Sequence, residues 1–162
     1  MIDLAAELRH LTSDARDVDT PPAPDFSVQV DVRCSGDASA VLDRVRSLLR
    51  LAMRHQAGHP ADDEVEPDPF MIDEAYWAAL LPPWFLKRTP FASANTPSGE
   101  WTVEGWLYWF LSAHEDRAWR WVSASVVSPT RVAVIIQVAD LPLAWEALRW
   151  ALLSAGASSA EL

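Results

Sequence analysis

The chain has 162 residues, half of them hydrophobic and 22% charged, which is the balance of one globular domain rather than of a disordered or membrane-embedded chain. Its net charge of −10 opposes binding to nucleic-acid backbones and anionic lipid, because both require phosphates to be neutralised by Lys and Arg. No apolar run approaches the roughly 18 to 20 residues that a bilayer requires, and the start Met-Ile-Asp-Leu lacks the basic and apolar pattern of an export signal. With one cysteine, Cys34, no internal disulfide can form, so the expected compartment is the reducing cytoplasm.

Residues 2–14 predict a short amphipathic helix with Leu4, Leu8 and Leu11 on one stripe and Asp3, Glu7 and Arg9 off it. The segment 19–25, Asp-Thr-Pro-Pro-Ala-Pro-Asp, excludes helix and central strand, since proline lacks a donor and restrains its predecessor. The expected division is therefore an N-terminal helical segment (1–18), a proline-rich linker (19–25), one α+β domain (26–156) and a frayed tail (157–162).

From Phe26 the hydrophobic period is two, with Phe26, Val28, Val30, Val32 and Cys34 on one face and Ser27, Gln29, Asp31 and Arg33 on the other. This predicts a half-buried strand. Asp37 then precedes Val41, Leu42, Val45, Leu48, Leu49 and Ala52 at helical spacing until Gly58 and Pro60 end the run. An acidic, proline-marked loop (61–69) follows, and Asp68-Pro69 reads as the N-cap of a helix over Phe70–Leu81. Residues 84–100 predict a packed irregular loop, and Thr102 or a neighbour caps a further helix carrying Trp106, Leu107, Trp109 and Phe110. Two β-rich runs flank Ser128-Pro129-Thr130 as a hairpin, and Pro142 opens a last helix ending at Gly156.

A strand-helix-strand crossover followed by a hairpin predicts a three-stranded antiparallel or mixed sheet of order 1-3-2 with helices packed on it, a split βαβ, ferredoxin-like plan. That plan serves many functions and selects none.

His55 and His59 share a helical face with Asp62, Asp63 and Glu64 nearby, yet Gly58 and Pro60 break the helix there, so no metal is expected. Cys34 lies on the buried face, no serine sits in a nucleophile elbow, and the five glycines punctuate turns rather than cradle phosphates. No cofactor is expected, and a non-enzyme is favoured over an enzyme.

The nine tryptophans are the main departure from ordinary composition. Strict alternation over residues 118–127 puts Val122, Ala124 and Val126 on one face and Trp119 and Trp121 on the other. Two placements fit. If the valine face is inner, Trp119 and Trp121 join Gln29, Asp31, Arg33 and Gln137 as an aromatic and polar platform for a partner. Otherwise both rings are core against Trp84, Trp106 or Trp109. The first functional expectation is a non-enzymatic protein-interaction domain, an acidic inhibitor or immunity-type protein that binds another protein or a second copy of itself through that platform. The alternative is a small-ligand binder or enzyme whose pocket is lined by Trp84, Trp101 and Trp106, with His114 and Glu115 for acid-base chemistry.

Overall fold

The computed structural model describes residues 3–12, 26–58, 72–111, 117–139 and 141–162. In chain order they form α1 (Leu4–Thr12), β1 (Ser27–Cys34), α2 (Ala38–Gly58), α3 (Glu74–Leu80), α4 (Pro83–Leu86), α5 (Val103–Leu111), β2 (Trp119–Ser128), β3 (Arg131–Val138), α6 (Glu146–Ala155) and β4 (Ala157–Glu161). The linker 19–25 and the acidic loop 61–69 lie outside the described residues. No described helix is long and apolar enough to cross a membrane.

The α+β class is as expected, but the sheet has four strands rather than three, in the antiparallel order β2-β3-β1-β4. Strand β3 lies between β1 and β2, and β4 extends the sheet beyond β1. Residues 157–162 are therefore not a frayed tail. Gly156 closes α6 at φ 116°, a left-handed conformation that glycine adopts without a Cβ penalty. The chain then turns back so that Ala157 pairs with Cys34 and Ala160 with Val32, and both alanines are buried.

Alternation in β1 buries Val30, Val32 and Cys34 beneath α2, whose Val41, Leu42, Val45, Leu48, Leu49 and Ala52 are all buried. The β2–β3 turn docks on the junction between these two elements, with the Cys34 and Ala38 amides donating to the carbonyls of Thr130 (2.8 Å) and Pro129 (3.0 Å).

Strand β2 departs from strict alternation. Ala124 pairs with Val134 and Val126 with Val132, but Ser123 pairs with Ile135 and Trp121 with Ile136, leaving Val122 as an extra residue. Such a β-bulge shifts every later side chain to the opposite face. Trp119 and Trp121 consequently turn toward the helices, where both are fully buried. The open-face placement of the two rings is thus corrected, and the core placement holds. Phe110 meets Trp119 edge-on at 6.2 Å, Trp106 meets Phe110 at 4.5 Å and Phe85 meets Trp106 at 4.7 Å, forming one aromatic chain from α4 to β2.

Helix α1 packs on α2 and β2, with Leu11 buried and Leu4 and Leu8 partly so. Glu7 was expected off this stripe but is fully buried. It forms an ion pair with the buried Arg117, and its other oxygen accepts from the Trp121 amide at 2.6 Å. Arg117 also donates to the Trp119 carbonyl (3.1 Å) and stands 4.6 Å from the Trp119 ring and 5.3 Å from that of Phe110. Burial pushes the Arg117 guanidinium below its ordinary pKa, and the Glu7 carboxylate acts the other way. Farther along β2, Arg46 donates to the Ala124 carbonyl (3.2 Å), and in β4 the Ala160 carbonyl accepts from Arg149 (3.3 Å).

Two helix starts differ from expectation. The cap of α3 is Asp73, whose carboxylate accepts from the Tyr76 amide at 3.0 Å, rather than Asp68. Helix α6 begins at Glu146, not at Pro142, because Trp145 has non-helical backbone angles. The Thr102 cap of α5 is as expected, with its hydroxyl accepting from Gly105 at 3.1 Å.

Candidate functional site

Helix α2 buries one stripe in the core, and its Ser47, Arg50, Leu51, Arg54 and His55 line a cleft shared with Tyr76 and Leu80 of α3. Helix α3 is held by one buried side chain, Trp77, whose ring meets His55 edge-on at 4.8 Å. The other six residues of α3 are exposed, including Tyr76 at 44% and Leu80 at 41%. The open space between the helices measures about 570 Å³.

The cleft has two chemical parts. Leu51, Tyr76 and Leu80 supply apolar surface. Arg50 and Arg54 supply cationic donors one helical turn apart on α2. Arg50 is oriented by its own helix, since Nε donates to the Arg46 carbonyl (3.3 Å) and Nη2 to the Ser47 hydroxyl (3.4 Å). The Tyr76 hydroxyl lies 3.4 Å from His55 Nδ1. Among the described residues, neither Arg50 nor Arg54 has a carboxylate partner. A ligand offering apolar surface beside hydrogen-bond acceptors would satisfy both parts.

The residues expected from sequence are distributed differently. Gln29, Asp31, Arg33 and Gln137 do share the sheet face away from the buried valines, where Gln29 Nε2 donates to Asp31 Oδ1 (3.0 Å) and Arg131 lies 3.6 Å from the same carboxylate. The bulge removes Trp119 and Trp121 from that face. The rings of the alternative pocket each have ring or hydrogen-bond partners of their own. Trp106 is fully buried and donates to the Ala147 carbonyl at 3.0 Å, Trp101 stacks on Trp150 at 6.2 Å, and Trp84 meets Phe85 at 6.0 Å. His114 and Glu115 lie outside the described residues, as do His59, Asp62, Asp63 and Glu64. Among the described residues no group of three His, Cys, Asp or Glu is placed to hold a metal ion. Cys34 is buried, and its thiol pKa is pushed up by burial first and by Asp37 second.

Sequence reasoning missed the cleft residues. Arg50 with Arg54, and Tyr76 with Leu80, are each spaced four apart and so visible as same-face pairs on helices. What the sequence lacks is any sign that the two pairs face one another. Comparison with protein families, curated proteins and solved structures finds no match to the chain.

Proposed function

We propose that this chain is a non-enzymatic protein-interaction domain that seats a segment of a partner protein in the cleft between α2 and α3. The observation that carries this reading is the exposure of Tyr76 and Leu80 beside an open cleft with an arginine rim. Aromatic and arginine side chains are enriched at binding hot spots, and apolar groups clustered at the surface mark contact sites. We read the strand order β2-β3-β1-β4 as a ferredoxin-like plan, which hosts many functions, so the cleft and not the fold supports the reading.

A photo-crosslinking side chain at Ala79, exposed on α3, tests the reading, with a second placed at Ser125 on the open sheet face. The expected result is a defined adduct from Ala79 that is lost with Leu80→Arg, while circular dichroism shows an unchanged fold. The adduct's protein, once purified, should bind the unmodified chain and lose about tenfold or more in affinity against Leu80→Arg. Adducts from Ser125 alone would move the interface to the face carrying Gln29, Asp31 and Arg33. Adducts insensitive to Leu80→Arg would overturn the assignment to the cleft.

A further inference from the structure

We infer that the occupant of the α2–α3 cleft is an acidic segment of a partner protein, one that presents two carboxylates about 6 Å apart beside an apolar side chain. This deepens the proposed function and rests on it. Three observations determine the chemistry. First, Arg50 and Arg54 are four residues apart on one helix, so their origins are separated by about 6 Å along its axis. A helix offering Glu or Asp at i and i+4 matches that interval, and so does an extended strand offering them at i and i+2. Second, both guanidiniums lack a carboxylate partner among the described residues. The pair borders the cleft, within reach of a bound carboxylate. Third, Leu51, Tyr76 and Leu80 lie beside the pair, so an occupant gains from burying an apolar side chain as well as from ion pairing. A small anion could satisfy the arginines but would leave that surface wet.

The overall charge does not oppose this assignment at contact. Charges farther than about 8 Å are screened at physiological ionic strength, so the field an incoming carboxylate meets in the cleft is set by its near neighbours.

A displayed library of random short peptides, selected on the full chain and in parallel on an Arg50→Gln/Arg54→Gln variant, tests the inference. The expected result is enrichment, on the unaltered chain only, of peptides with paired acidic residues at i and i+3 or i+4, or at i and i+2, around an aliphatic or aromatic residue. A synthetic copy of an enriched peptide should then lose about tenfold or more in affinity for the double variant, and a similar amount when its acidic residues become Gln or Asn. Its affinity should also fall as salt rises. Enrichment of basic or purely apolar peptides, equal enrichment on both proteins, or no enrichment would overturn the inference. So would displacement of the peptide by single-stranded DNA at matched charge. The two proposals fail separately: crosslinking from Ala79 that is lost with Leu80→Arg but retained in the arginine double variant keeps the interaction site and removes the acidic occupant.

Discussion

Replacing Glu7 by Ala should be among the most costly single substitutions in the chain. The carboxylate is fully buried, with one oxygen on the Arg117 guanidinium and the other on the Trp121 amide. Truncation leaves a cation that is 1% exposed with the Trp119 carbonyl as an acceptor, and it frees an amide inside the protein. Removing one partner of a buried ion pair costs about 3 to 5 kcal/mol, against a total stability of about 5 to 15 kcal/mol for a typical domain. The thermal midpoint should then fall by about 10 °C, at about 2 to 4 °C per kcal/mol for a chain of this size. Glu7→Gln should lie between Ala and the native residue, since the amide oxygen can still accept from Trp121 while the charge is lost. Glu7→Leu with Arg117→Met should recover much of the loss, because the stranded charge disappears with its partner. Urea unfolding followed by tryptophan fluorescence measures all four proteins, and the Trp119 ring beneath Arg117 makes the signal local as well as global. A Glu7→Ala protein within about 0.5 kcal/mol of the native one would refute the reasoning, since that is the range of ordinary surface substitutions.

Two further outcomes follow from buried polar groups. Trp106→Phe should destabilise by about 1 kcal/mol or more beyond Trp119→Phe, because it abandons the Ala147 carbonyl, whereas the buried Trp119 indole N–H has no acceptor to lose; urea midpoints at constant slope would show the order, and its reversal would sink the idea. The raised Cys34 thiol pKa means that its contribution to stability is fully present below the ordinary thiol value and is lost as pH rises through the raised one. Stability measured from neutral to alkaline pH should therefore decline less steeply in Cys34→Ala, and parallel curves for the two proteins would count against the assignment.

Strand β1, helix α2 and strand β3 were legible because each carries one unbroken period over at least eight residues, which tertiary context had no reason to override. Strand β2 was half legible. One inserted residue, Val122, reverses the faces on either side of it, and no residue type announces a bulge. Strand β4 consists of Ala, Ser and Glu, types with little strand preference, and is held by its pairing with β1. Glu7 borders the Leu4, Leu8 and Leu11 stripe in helical projection, about 40° from Leu11, so its burial was open to periodicity but was discounted on charge. The cleft joins side chains from α2 and α3 across the sequence interval between them, and pairing between elements leaves no local trace.

The placement of α1 has a consequence for anyone trimming the chain. An outer strand ordinarily offers a row of unpaired amides and carbonyls to any other strand it meets. Here Glu7 occupies the Trp121 amide, Arg46 the Ala124 carbonyl and, at the opposite border, Arg149 the Ala160 carbonyl. The three side chains, from α1, α2 and α6, thus occupy groups on the outer strands that another strand would need for pairing. A version beginning after the proline-rich segment would lose Glu7, and with it both the partner of the buried Arg117 and the group that covers the Trp121 amide.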